Sequence, residues 1–148
     1  MKNNQLMIYG AYGYAGELMV REAVAQGLRP IIAGRDDEKL KPIATELSLE
    51  CRAFGVRNTG SNLQDISVLL NCAGPFSATA EPLARACLAQ QIHYLDITGE
   101  IDIFRKCHAL DEEARQQNVL ILPGAGTDIV PTDCLAAMLK EKLPVATR

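Results

Sequence analysis

The sequence predicts an α/β fold, a doubly wound parallel sheet with helices on both faces. Three observations carry that prediction. Short apolar runs alternate with stretches whose apolar residues recur at helical spacing, the loops between them are short, and the first apolar run feeds directly into glycines spaced three apart, Gly10, Gly13 and Gly16. Alternation with short connections calls for crossovers, which favour parallel strands and put helices on both sheet faces. A strand, a glycine turn and a helix in that order form the layout of a first βα unit that binds a dinucleotide.

Taken in order, residues 6–9, Leu-Met-Ile-Tyr, read as a buried strand. In the helix that follows, Ala15, Met19 and Ala23 form one row and Val20, Val24 and Gly27 a neighbouring one, while Glu17, Arg21 and Glu22 point away. Glu17 and Arg21 are also an i,i+4 pair in the favourable order, and Gly27 ends the helix. Residues 29–35, Arg-Pro-Ile-Ile-Ala-Gly-Arg, give a second strand ending in a glycine and a base. Asp36 or Asp37 caps the next helix, whose Leu40, Ile43, Ala44 and Leu47 share a face. Proline is best tolerated in the first turn, so Pro42 puts the start of that helix near Glu38.

A weaker strand covers residues 50–54, and residues 57–62, Arg-Asn-Thr-Gly-Ser-Asn, are the clearest loop of the chain. The continuous apolar run Val68-Leu69-Leu70-Asn71-Cys72-Ala73 has the form of a central parallel strand covered on both faces. A helix over residues 79–91 holds Pro82 in its first turn and two core rows, Leu83 with Cys87 and Ala84 with Leu88. Residues 93–97 are the fifth strand. Glu100 and Asp102 open one further helix with Phe104, Cys107 and Ala114 inward, and residues 119–122 are the sixth strand, stopped by Pro123-Gly124. A last helix holds Leu135, Ala136, Met138 and Leu139.

At 148 residues the chain suits one domain with its own core. Its net charge is −3, with 15 basic and 18 acidic residues in no long single-sign block, which argues against a nucleic-acid footprint or a basic membrane face. Neither a secretory signal nor a membrane span fits the start, so a cytoplasmic protein is expected. Five scattered cysteines without a C-x-x-C pair are expected to be reduced, and the isolated Cys107-His108 pair lacks the partners of a zinc site.

The glycine turn implies a Rossmann-like strand order, 3-2-1-4-5-6, with the ligand over the carboxyl ends of the first and fourth strands, where the winding reverses. Gly10 gives the tight turn, Gly13 lets backbone approach a pyrophosphate, and Gly16 lets the helix lie close to the sheet. The free N–H groups near Tyr14 and Ala15 then face the phosphates with the positive end of the helix dipole behind them. The end of the second strand selects the nucleotide. An acid there would read the ribose 2′-OH of NAD, but Arg35 stands close to the expected offset of about 20 residues, and a guanidinium grips a 2′-phosphate. NADP is therefore expected over NAD, with Asp36 as the competing reader of the ribose.

Catalytic groups are not identifiable. No Tyr is followed four residues later by Lys, and the elbow of a serine hydrolase, a zinc His pair and a phosphate-binding Walker loop are absent. Asp96, Thr98, Glu100, Thr127, Asp128, Thr132 and Asp133 follow strand ends, yet capping a helix is the simpler role for each. Hydride transfer needs little from the protein beyond positioning, because the cofactor carries the chemistry.

The series G-A-Y-G-Y-A-G, I-A-G-R, N-C-A-G-P-F, Y-L-D-I-T-G-E and L-P-G-A-G-T-D-I-V-P-T-D resembles, in this order, the NADP-binding domain of the saccharopine dehydrogenase-like oxidoreductases, a group that includes trans-acting enoyl reductases. The resemblance runs from about residue 6 to about residue 140. It implies that Gly10, Ala11, Tyr12, Gly13, Tyr14 and Ala15 hold the pyrophosphate, that Gly34 and Arg35 meet the 2′-phosphate, and that Cys72, Ala73, Gly74, Pro75 and Phe76 line the nicotinamide side. Thr127 departs from the pattern, since relatives carry a bulky aromatic there. Relatives also continue into a substrate-binding domain, which would begin about where this sequence ends, so the chain reads as a truncated protein whose nucleotide domain folds alone. The resemblance implies an oxidoreductase whose small-molecule substrate needs that second domain or a partner, and it admits a homodimer. The rival expectation is a non-catalytic module that senses NADPH or presents it to a partner.

Overall fold

The computed structural model describes residues 5–126, 129–143 and 145. Six parallel strands form one sheet in the order β3-β2-β1-β4-β5-β6, the order expected of the glycine turn. They are β1 (Gln5–Tyr9), β2 (Ile31–Gly34), β3 (Cys51–Ala53), β4 (Ile66–Asn71), β5 (His93–Asp96) and β6 (Ile121–Leu122). The helices are α1 (Tyr14–Ala25), α2 (Asp37–Leu47), α3 (Phe76–Ala89), α4 (Ile101–His108), α5 (Asp111–Gln116) and α6 (Val130–Lys142), with a 3₁₀ turn at Gly60–Leu63 that starts in the expected loop and ends one residue beyond it.

The period of two along each strand builds two cores. Met7 and Tyr9 of β1 join Leu69, Leu83, Cys87, Tyr94 and Ile103 on the face covered by α3, α4 and α5. Ile8 joins Val20, Ile32, Leu40 and Ile43 on the face covered by α1 and α2. Register lines up one row across the sheet, with Ile31 opposite Met7, Met7 opposite Leu69, Leu69 opposite Tyr94 and Tyr94 opposite Ile121. Arg21 ties the two helices of the second face together, taking Glu17 one turn back on α1 and both carboxylate oxygens of Glu46 on α2.

The structure corrects three helix boundaries. α3 begins at Phe76, three residues before the expected start, so Pro82 stands in the helix interior and cannot donate to the carbonyl of Ala78. Its early start is fixed from outside the segment, because the Phe76 N–H donates to the Glu100 carboxylate at 3.1 Å. Pro42 likewise lies in the second turn of α2, which starts at Asp37, with Asp36 rather than Asp37 as cap through the Lys39 N–H at 3.3 Å. The single helix expected after β5 is two, α4 and α5, parted at Ala109 and Leu110; the buried Leu110 plugs the core at that corner.

No residue of α6 is buried, and Leu135, Met138 and Leu139 are each more than half exposed at 56%, 57% and 51%. No helix among the described residues is long and apolar enough to cross a membrane. All five cysteines are free.

Candidate functional site

The ends of β1 and β4 are paired, Tyr9 opposite Asn71, and the Cys72 N–H donates to the Tyr9 carbonyl at 2.8 Å, so the two loops that follow leave the sheet side by side. Gly10 makes this approach feasible. Its φ is +84°, a left-handed conformation that side chains rarely adopt, and a Cβ there would lie 2.7 Å from the Ala73 nitrogen. Gly16 has the closest approach of all, since a Cβ would stand 2.1 Å from the Gly10 carbonyl oxygen; its absence lets α1 start directly against the turn.

Around these loops lies a cleft of about 570 Å³. Gly10, Tyr12 and Gly13 form its floor at the start of α1, Gly34 and Arg35 one side, and Cys72, Ala73, Gly74 and Pro75 the other. The Tyr12 ring lies over Gly34, with Cε1 2.6 Å from where a Cβ would be, and Lys39 Nζ sits 5.7 Å from the ring centroid. Gly13 is the N-cap of α1, and the first helical hydrogen bond runs from the Glu17 N–H to its carbonyl at 2.8 Å. The N–H groups of Tyr14, Ala15 and Gly16 therefore precede the helical ladder at the positive end of the dipole.

Four of the expected site residues stand apart from the cleft wall. Ala11 is fully buried in the core under α1, and its N–H is used by the Ala33 carbonyl at 3.1 Å. The Tyr14 side chain is 88% exposed and turns away to solvent, which leaves only its backbone near the site. Ala15 likewise offers backbone alone. Phe76 gives its N–H to Glu100 and packs its ring against the core on the α3 face.

The polar residues after β5 serve the scaffold. Asp96 is fully buried and accepts the Tyr94 hydroxyl at 2.8 Å on one oxygen and the N–H groups of Thr98 and Gly124, at 3.0 and 2.9 Å, on the other. Asn71 donates to the Tyr94 oxygen at 3.1 Å and to Thr79 at 3.2 Å, while its own carbonyl accepts the Ala73 N–H at 3.0 Å. This chain of bonds fixes the loop after β4 from below. Burial first, and then the Asp96 charge, pushes the Tyr94 phenol far above its usual range, so it remains a donor. Thr98 accepts the Glu100 N–H at 3.1 Å, and Thr132 donates to the Ile129 carbonyl at 3.0 Å. Thr127 and Asp128 lie outside the described residues.

Replacing Tyr94 with Phe tests that scaffold. It strands an Asp96 oxygen in a dry interior and takes one acceptor from Asn71, so stability should fall by about 2–4 kcal/mol and Tm by roughly 5–15 °C. Thermal unfolding followed by circular dichroism reads the loss; an unchanged Tm would mean that water or a rearranged Asn71 takes the place of the hydroxyl.

Sequence reading missed Tyr9, Gly55, Val56, Arg57, Ala78 and Thr79, which also line the cleft. Their segments gave no local signal. Tyr9 donates its hydroxyl to the Phe54 carbonyl at 2.9 Å, which pins the turn after β3 to the end of β1. Cys72 stands on the wall as a thiol, because burial and the Asp96 charge push it up to about 12.

Residues 6–122 match the family described as saccharopine dehydrogenase NADP binding domain. The chain belongs to that family. A saccharopine dehydrogenase-like oxidoreductase of Rattus norvegicus is 27% identical over 152 residues, covering 87% of this chain and 35% of the relative. A lipid droplet localized protein of Caenorhabditis elegans is 23% identical, covering 95% of this chain and 37% of the relative. The chain thus spans about a third of the length of such relatives. Among solved structures, the apo saccharopine dehydrogenase (L-Glu forming) of Saccharomyces cerevisiae superposes with a TM-score of 0.80 at 12% identity, over 97% of this chain and 32% of that one, a likeness of fold.

NADP is accordingly the cofactor of this domain, and the cleft fits it. Its volume falls within the range of roughly 300–1,000 Å³ common to ligand pockets. Backbone donors stand at a helix start, side chains are missing where Gly10 and Gly34 lie, and a guanidinium is available at the end of β2. No carboxylate among the described residues pairs with Arg35, since Asp36 is engaged by Lys39 and Asp37 by Lys41.

Proposed function

We propose that this domain holds NADP(H) in the cleft over β1 and β4 for an oxidoreductase that transfers hydride, with the substrate-contacting groups supplied by a further domain or a partner. The observation that carries the reading is the convergence of the N–H groups at the start of α1 and the Arg35 guanidinium on one cleft. Tyr14, Ala15 and Gly16 would hold the pyrophosphate through their backbone, with Gly10 and Gly13 giving it room. Arg35 would meet the 2′-phosphate. Cys72 to Pro75 would flank the nicotinamide, which supplies the hydride when bound.

Among the described residues at the cleft, the side chains offer positioning rather than proton chemistry. Cys72 stays a thiol at neutral pH. Tyr9 is committed to the Phe54 carbonyl, and Asp96 and Thr98 lie sealed beneath the loops. By this reading the domain binds cofactor without turnover of its own. Its free cysteines favour a reducing compartment, the cytoplasm in our reading.

Titrating NADPH into the purified chain and following nicotinamide fluorescence tests the proposal. Saturable binding, at least about tenfold tighter than for NADH, is the expected result. A chain that shows no saturation with either nucleotide would overturn it.

A further inference from the structure

We propose that Arg57, in the turn after β3, is a second specificity-determining residue of the cleft and binds the 2′-phosphate of NADP together with Arg35. The inference rests on the reading of the cleft as the NADP site. β2 and β3 run parallel with Gly34 opposite Ala53, so Arg35 and Arg57 both leave the sheet from its carboxyl edge, on neighbouring strands. Both line the same cleft.

The turn that carries Arg57 is held on three sides. The Phe54 N–H donates to the Gly34 carbonyl at 2.9 Å, the Phe54 carbonyl accepts the Tyr9 hydroxyl at 2.9 Å, and its ring packs 5.1 Å from that of Tyr9. The Asn58 N–H then closes the turn on the Gly55 carbonyl at 2.8 Å. Arg57 is thus presented from a fixed base, one residue beyond Val56, whose side chain adds an apolar wall for a base.

Charge and position together single out the pair. Arg21, Arg52, Arg85, Arg105 and Arg115 each have a carboxylate partner. Among the described arginines, Arg29, Arg35 and Arg57 lack a carboxylate partner, and of these Arg29 lies outside the cleft and donates to the Ser48 carbonyl. Arg35 and Arg57 stand in the cleft without one although the whole chain carries a net charge of −3. Two guanidiniums facing one cleft repel each other until an anion is shared between them. A phosphate monoester carries close to two negative charges at neutral pH and offers oxygens to two planar forks, whereas the neutral hydroxyls of an unphosphorylated ribose need neither.

The probes are 2′,5′-ADP and 5′-AMP, which differ by the 2′-phosphate alone, titrated calorimetrically into the wild-type chain and its R57A and R57K variants. R57A should weaken 2′,5′-ADP by about 10-fold and leave 5′-AMP within about twofold, R57K should recover part of the loss, and the salt dependence of 2′,5′-ADP binding should flatten. Equal losses on both probes would assign Arg57 to the base or to the scaffold and overturn the proposal. So would an R57A variant with unchanged affinity for 2′,5′-ADP, which leaves the NADP reading standing. A wild-type chain without preference for 2′,5′-ADP would overturn both.

Discussion

A Gly13→Asp chain should fold as the wild type does and bind NADPH at least about 100-fold more weakly. Gly13 is the N-cap of α1 with φ −78° and ψ 162°, extended values that an L-residue adopts freely. Aspartate is among the best residues at such a position, because its carboxylate accepts the N–H groups two and three residues on. Those groups belong to Ala15 and Gly16, the same donors that the proposal gives to the pyrophosphate. The substitution therefore fills the anion site with a permanent internal anion.

Two effects then oppose the cofactor. It must displace a capping hydrogen bond, and its phosphates meet a like charge at close range, which costs roughly 4 kcal/mol per unit charge at 4 Å near a protein surface. The fold loses little. A Cβ on Gly13 would lie 3.2 Å from the Gly10 carbonyl oxygen, a contact that a shift of a few tenths of an ångström relieves, and the new cap offsets it. Tm should hold within a few degrees of wild type while the fluorescence titration with NADPH goes flat. A folded variant with unaltered NADPH affinity would remove the start of α1 from the site.

The contrast with Gly16 shows why glycines at one spacing are not equivalent. A Cβ on Gly16 would sit 2.1 Å from the Gly10 oxygen, so that position is closed by the fold, whereas a Cβ on Gly13 would lie 3.2 Å from the same oxygen and needs only a small shift. The motif already gave Gly16 a packing role, and the short distance to the Gly10 carbonyl is the physical form of it.

What the sequence made legible follows from the range of the interactions involved. The strands and their order could be read because parallel strands buried on both faces are continuous apolar runs, and because a glycine turn after the first of them fixes where the winding reverses. The Asp36 cap was readable within one of two residues, since capping acts over three positions. The start of α3 was not, because the group that caps it, Glu100, lies 24 residues away and across a strand. Pro82, treated as a helix start, sits in an interior turn that tertiary packing sustains through Leu83, Ala84, Cys87 and Leu88.

The missed part of the cleft has the same origin. Arg57 stands in a run of Asn, Thr, Gly and Ser that marks a loop and says nothing of its direction; that is set by the β2 to β3 pairing and by the Tyr9 hydroxyl, 45 residues away from its acceptor. The Asp96 network joins β4, β5 and the turn after β6, so each member looks locally like an ordinary cap. Ala11 is the opposite case. It lies inside the glycine motif, but the alternation that puts Gly10 at the cleft sends the Ala11 side chain into the core.

Replacing Arg35 with Ala should weaken NADPH by about 10- to 150-fold and leave NADH nearly unchanged. Contacts from a guanidinium to a phosphate dianion are charge-assisted, worth roughly 1.5–3 kcal/mol each, and a planar fork can make two of them. NADH has no phosphate at that position and so has nothing there to lose. The competing reader of the ribose, Asp36, is occupied, its carboxylate accepting the Lys39 N–H at 3.3 Å and facing Lys39 Nζ at 3.7 Å. Arg35 is exposed at the rim of the cleft, so its contribution is screened, and the gap between wild type and variant should narrow as salt rises from about 0.05 to 1 M. Parallel titrations of NADPH and NADH into both chains at low and high salt give the result directly. If wild type binds the two nucleotides equally well, the carboxylate of Asp36 has left its cap to take the ribose hydroxyls, and the selectivity assigned to Arg35 is wrong. If Arg35→Ala weakens both nucleotides to the same degree, the guanidinium acts on the adenine they share rather than on the phosphate that separates them.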